Sequence, residues 1–157
     1  MDRIIKCRLI HIDRIVGYEK WYPGRLHVSG KWEEANPRWL YSRDGQYWNP
    51  EYIIHSKKQQ FTGLLDKHGK EVFEGDILRY SYGARRGESF IGEVVYEIRL
   101  QDKGDNYSRH VGFMLRAKER GEYWYTDIPD VPDIEVIGNV WEHPELLSPH
   151  KKVRDEA

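Results

Sequence analysis

The sequence predicts a mainly β fold: a small barrel-like or sandwich arrangement of short antiparallel strands, closed by a short C-terminal helix. Three observations lead there. No segment holds a helical period over about twelve residues, whereas turn signals recur about every eight to twelve. Charged residues make up 32% of the 157-residue chain and mean hydropathy is −0.81, so a core must be assembled from few side chains. Six Trp, eleven Tyr and four Phe supply them. Aromatic rings suit a pleated surface, and each removes about 150–250 Å² from water when buried.

The elements follow in order. Ile4 to Ile12 alternates imperfectly, with Ile5, Cys7 and Leu9 opposed to Lys6 and Arg8, which favours a strand. A turn near Asp13 leads to a second strand, Arg14 to Tyr22, ended by Pro23-Gly24. Arg25 to Val28 is a short strand, and Lys31 to Asn36 carries the pattern of one helical turn stopped by Pro37. Arg43-Asp44-Gly45 contains an Asp-Gly pair, a strong cue for a tight hairpin between Trp39-Leu40-Tyr41 and Gln46-Tyr47-Trp48. Asn49-Pro50 then starts a linking turn.

The segment Phe61 to Tyr80 is the most explicit. Asp66 and Gly69 occupy the first and fourth positions of a type I turn, and Gly75 breaks the following run before Ile77-Leu78 opens another. Ser81 to Gly87 reads as a loop and Glu88 to Leu100 as the longest strand. Gln101 to Arg109, polar and turn-rich, reads as a mobile loop. His110 to Ala117 and Glu122 to Thr126 form a hairpin, Ile134 to Val140 a further strand, and His143 to Leu147 a short helix with Pro144 in its first turn. One domain is expected at this length, with a soft division near Lys57 to Gln60 between an N-terminal sheet and a C-terminal barrel-like half.

Formal net charge is −1, so no global field favours nucleic acid or an anionic membrane. The single Cys7 precludes an internal disulfide and fits a reducing cytoplasm. The opening MDRIIKCRLIHID has no signal-peptide core, and no apolar run approaches the roughly 18 residues that a membrane helix needs. The seven histidines show no metal-ligand spacing, and no motif for a cofactor or a nucleophile stands out.

Four constellations remain. Asp66, Glu71, Glu74 and Asp76 could share acid–base work or hold a divalent cation, which keeps a metal-dependent enzyme using Asp66, Glu74 and Asp76 as an alternative. Turn chemistry alone also explains Asp66 and Asp76, as acceptors for nearby backbone N–H groups. His143 stands where it can cap the closing helix. Tyr80, Tyr82, Arg85, Arg86 and Phe90 could stack bases and neutralise phosphates on a barrel rim, the nucleic-acid alternative; Glu88, Glu93 and Glu97 follow directly and oppose it. Trp32, Trp39, Tyr41, Tyr47, Trp48 and Tyr52 exceed what one hairpin can bury, so some belong to the core and others, Trp32, Trp39 and Trp48 first, to a subunit interface.

The blocks Phe61-Thr62-Gly63-Leu64, Asp66, Gly69-Lys70-Glu71 and Phe73-Glu74-Gly75-Asp76-Ile77 resemble the YopX family of phage and prophage proteins. Ile134 to Val140 with Trp141-Glu142-His143-Pro144-Glu145-Leu146-Leu147 does so too, and the opening Ile5-Lys6, Arg8, Asp13, Lys20-Trp21-Tyr22 and Gly24 is similar. Cys7 stands where the family tends to carry an aromatic, and Pro23 intrudes beside Gly24. The resemblance implies a β-sheet fold, phage origin and self-association into closed homo-oligomers, with no catalytic residues to transfer. Together these features lead us to expect a non-catalytic, homo-oligomeric binding or accessory protein in the host cytoplasm, with a host or phage protein as partner and no membrane association.

Overall fold

A computed structural model describes the backbone of residues 5–28, 30–34, 37–81, 89–103, 106–119, 121–128 and 133–147, and their side chains except at 25–28, 31–34, 98–103, 106–110 and 119. Among the described residues twelve strands run in chain order: β1 Lys6–His11, β2 Arg14–Tyr22, β3 Arg25–Val28, β4 Lys31–Glu34, β5 Arg38–Ser42, β6 Lys57–Leu65, β7 Glu71–Phe73, β8 Asp76–Ser81, β9 Ser89–Lys103, β10 Asn106–Glu119, β11 Glu122–Asp127 and β12 Glu135–Asn139. A one-turn 3-10 helix, Pro144–Leu147, closes the described chain. The fold is therefore mainly β, as the missing helical period requires. One five-stranded sheet has the order β5-β2-β1-β6-β7 and the other β11-β10-β9-β8-β12.

The chain divides into two compact units, residues 1–63 and 64–157, so the boundary falls just beyond Lys57 to Gln60, which lie inside β6. In the first unit β1 pairs antiparallel with both β2 and β6, and β2 with β5. Leu9, Tyr41 and Ile53 are buried with Val16 against them. Gly17 is required by this packing: a Cβ there would lie 2.6 Å from the Ser42 carbonyl oxygen and 2.7 Å from Ile53 Cδ1. In the second unit Val72, Leu78, Tyr80, Val94, Leu115, Ile128 and Ile134 form the core, joined by Leu64, Phe90, Phe113 and Val136.

The central block folds as its residues dictate. The Gly69 N–H donates to the Asp66 carbonyl at 2.9 Å, closing the four-residue turn, and Gly69 takes a φ of 80° that costs a glycine little. Gly75, at φ 85°, makes the kink between β7 and β8.

Three segments differ from expectation. Lys31–Glu34 is strand β4, paired with β3, because cross-strand hydrogen bonds outweigh a local helical pattern one turn long. Gln101 to Lys103 and Asn106 to Arg109 belong to β9 and β10, whose ladder runs from Arg116↔Glu93 to Asn106↔Lys103. Their polarity suits a two-stranded ribbon and does not demand a loop. β9 is the longest strand, as expected, and β10, 14 residues long, reaches well beyond the His110 to Ala117 expected of it. After β5, Asp44 does not make a tight two-residue hairpin. Its Oδ1 accepts from the Gln46 and Tyr47 N–H groups at 2.8 and 2.9 Å, and a wider loop closes at the Tyr41–Asn49 bridge.

The β1–β2 turn carries strain. Ile12 and Asp13 both have positive φ, 46° and 64°, and Ile12 is 72% exposed. A β-branched residue is the poorest choice for that conformation. Ile12→Asn should stabilise the protein by about 1 kcal/mol, read as a raised urea midpoint with unchanged slope. Gly17→Ala should destabilise it by about 1–3 kcal/mol in the same assay, because backbone oxygen cannot yield to the added methyl.

Candidate functional site

The acidic cluster serves the backbone. Asp66 is buried, and its Oδ1 accepts from the His68 and Lys70 N–H groups at 2.8 and 2.9 Å while Oδ2 accepts from the Val136 N–H at 3.0 Å. Burial raises the proton affinity of this carboxyl, but the three N–H donors and His68 outweigh it and hold the pKa below the ordinary value. Asp76, 1% exposed, accepts from the Phe73 N–H at 2.8 Å. Among the described residues no three His, Cys, Asp or Glu side chains converge as a metal site would need. The metal-dependent enzyme alternative thus loses its constellation: Asp66 and Asp76 are committed to turn amides and do not gather with Glu74.

Of the nucleic-acid rim, only Tyr80 and Phe90 are described. Tyr80 is 4% exposed and its ring stacks on Phe90 at 5.8 Å between centroids, inside the second unit's core. It offers no face to a base. Tyr82, Arg85 and Arg86 lie outside the described residues.

The aromatic group is more informative. The Trp32 side chain lies outside the described residues. Trp39 on β5 and Trp21 on β2 are cross-strand partners, edge to face at 5.2 Å, each 37% exposed. Trp48 is half-buried under two ammonium groups: Lys20 Nζ lies 4.3 Å and Lys6 Nζ 5.6 Å from its ring centroid. Lys6 Nζ is also 5.8 Å from the Tyr18 ring. Tyr41 is buried and Tyr52 exposed, their rings edge to face at 5.3 Å.

Strand alternation sorts these groups. In β1 and β2, Lys6 opposes Lys20 and Arg8 opposes Tyr18, all on one face; Cys7 opposes Glu19 on the other. Across β1, β2, β5 and β6, Glu19 is the sole acidic residue. Its face holds the ion pair to Lys58, 2.6 Å long, with the Glu19 side chain 1% exposed. The bond to Glu19 raises the Lys58 pKa, and burial followed by the Glu19 charge raises that of Tyr41. Both shifts lead away from neutrality, whereas a general acid or base is tuned towards it. The cationic face and this triad were not singled out in the sequence, although alternation along β1 places Lys6 and Arg8 together; Lys20 joins them only through the β1–β2 register.

Beside the β5 loop an open hollow of about 170 Å³ is lined by Tyr41, Asp44, Tyr47, Glu51 and Tyr52 among others. This is smaller than the roughly 300 Å³ at which ligand pockets begin. Its Asp44 carboxylate is held below the ordinary range by the Tyr47, Gln46 and Ser42 donors of the turn. His68, in its turn, is mostly exposed and 3.7 Å from Glu135. At the far end, the His143 carbonyl accepts the first bond of the 3-10 helix from the Leu146 N–H at 3.1 Å, and its Nδ1 accepts from the Asn139 N–H at 3.3 Å. His143 thus caps the helix and ties it to β12.

Comparison with known proteins gives one family: the profile described as YopX protein matches residues 18–148. The opening similarity before residue 18 falls outside that span. A crystal structure of protein EF1440 from Enterococcus faecalis is similar at 22% identity, covering 90% of this chain and 86% of that one, with a TM-score of 0.33. No curated protein matches.

The lowered Asp66 pKa has a definite pH signature. Its stabilisation is complete above the unfolded value near 3.8 and is lost as pH falls below that through the folded value. Asp66→Asn should cost about 2 kcal/mol at neutral pH and flatten the acid limb below about pH 4, read from urea midpoints against pH.

Proposed function

The chain belongs to the YopX protein family, and from that premise we propose that it is a phage- or prophage-encoded accessory protein. In this reading it is non-catalytic, acts in the host cytoplasm as a homo-oligomer, and binds a host or phage protein. The observation that carries the oligomer is the open sheet edge at β11. In the described sheet this strand has a neighbour on one side only, β10, and it exposes Tyr123 and Trp124 at 53% and 60%. The opposite edge, β12, is treated differently: Asp66 takes the Val136 N–H, and the Lys67 N–H donates to the Ile134 carbonyl at 2.9 Å. An edge left open with two large rings on it favours pairing with another chain, and a second copy is the simplest closed solution.

Trp39 on β5, with Trp21 beside it, supplies a second apolar patch of the kind enriched at interfaces. Trp48, under its lysines, is the weaker interface candidate. The non-catalytic part rests on carboxylates consumed by turn amides and on Lys58 and Tyr41 shifted away from neutrality. Among the described residues no helix is long and apolar enough to cross a membrane.

Sedimentation at micromolar concentration should show an assembly, and Trp124→Lys should weaken it by about 2 kcal/mol or more while leaving the thermal midpoint of the protomer in place. Wild-type protein that sediments only as a monomer would overturn the oligomeric reading.

A further inference from the structure

The loop after β5 builds a hollow whose walls are aromatic and whose charge is negative. At about 170 Å³ it is too small for a drug-sized ligand, so it suits a single compact group. Tyr41, Tyr47 and Tyr52 line it; Tyr41 is buried, whereas Tyr47 and Tyr52 are 74% and 63% exposed and add little to the core. Hydrogen bonds fix the loop. Tyr41 and Asn49 exchange backbone bonds of 2.7 and 3.0 Å, and Asn49 Oδ1 accepts from the Glu51 N–H at 2.9 Å. Asp44 Oδ1 accepts from the Ser42 hydroxyl at 3.0 Å as well as from the Gln46 and Tyr47 N–H groups. Those donors all go to one oxygen and leave Oδ2 available. The Glu51 carboxylate also takes no donor among the described residues, and no ion pair there joins Arg43, on the same rim, to either acid.

We propose that this hollow binds an alkylammonium group, held between the rings of Tyr41, Tyr47 and Tyr52 and the carboxylates of Asp44 and Glu51. The two parts of the wall match the two parts of such a group. Ring faces attract a cation through their quadrupole and pack against its methyl or methylene skin, while the carboxylates supply formal charge. An anion meets two acids against the one guanidinium of Arg43. A neutral apolar group would strip water from both carboxylates and return no charge to them. Asp44 stays ionised at neutral pH, because the donors of its own turn hold its carboxyl below the ordinary range. The edge-to-face contact of Tyr41 with Tyr52, 5.3 Å between centroids, sets two of the rings before any ligand arrives. The inference goes beyond the oligomeric reading and stands without it, since every one of these residues lies in the first unit of a single chain.

Calorimetric titration of the full chain with choline and with butylammonium, at low ionic strength, tests it. Each cation is compared with a neutral counterpart: butanol for butylammonium, and for choline the alcohol in which carbon replaces nitrogen. At least one cation should bind with a millimolar Kd, and its counterpart about tenfold or more weakly. Glu51→Gln should weaken the cation about threefold to fivefold, the worth of one exposed charge pair, and leave the thermal midpoint in place. Tyr52→Leu alters no charge, so a similar loss there separates a cation held among rings from general attraction to a negative surface. Failure of both cations to bind, a neutral counterpart that binds as well as its cation, or wild-type affinity in either variant overturns the proposal. The source is read from Nα-acetyl-lysine methylamide. Tighter binding than butylammonium and choline assigns a lysine of a partner chain, and equal or weaker binding assigns a small free amine.

Discussion

A buried carboxylate that accepts three backbone N–H groups organises one end of the second unit's strands. Asp66 fixes the β6–β7 turn through His68 and Lys70 and reaches across to Val136 on β12. Removing the carboxylate that meets these N–H groups would cost about 1–3 kcal/mol in all. One side chain thereby closes a hairpin and blunts a sheet edge. Asp66 and Asp76 of this block are thus engaged by backbone amides.

Alternation along strands is the second constraint, and it acts on charge. Strands β1 and β2 place Lys6, Arg8 and Lys20 on one face and Glu19, the sole acid of β1, β2, β5 and β6, on the other. A chain whose formal net charge is only −1 can therefore hold a locally cationic surface. Field strength depends on where charges stand and not on their sum. The aromatic surplus follows the same logic. Tyr41 and Tyr80 are core, Trp48 and Tyr18 are partners of lysines, and Tyr123 and Trp124 stand on an open edge. One residue class thus serves three environments, separated by register.

Edges and turns show where the fold carries cost. β12 is capped by Asp66 and Lys67, and β5 is covered at Tyr41 by the Asn49 bridge, whose two backbone bonds are 2.7 and 3.0 Å. β11 has no comparable cover among the described residues. Ile12, strained and exposed at the β1–β2 turn, likewise gives up stability that a polar residue would recover.

The sequence by itself determined the β class, the strands β2 and β3, the Asp66–Gly69 turn and the capping role of His143, because each rests on local signals: period, turn residues and glycine at positive φ. It also determined the family, through the blocks Phe61 to Ile77 and Ile134 to Leu147. Only the tertiary structure decided that Lys31–Glu34 is a strand and that β9 and β10 extend to Lys103 and Asn106, since strand pairing across the ladder overrides weak local preference. It alone set Lys6 against Lys20 and withdrew Tyr80 into the core. The reason is that register and burial are properties of partners distant in the chain, and no single stretch of residues carries them.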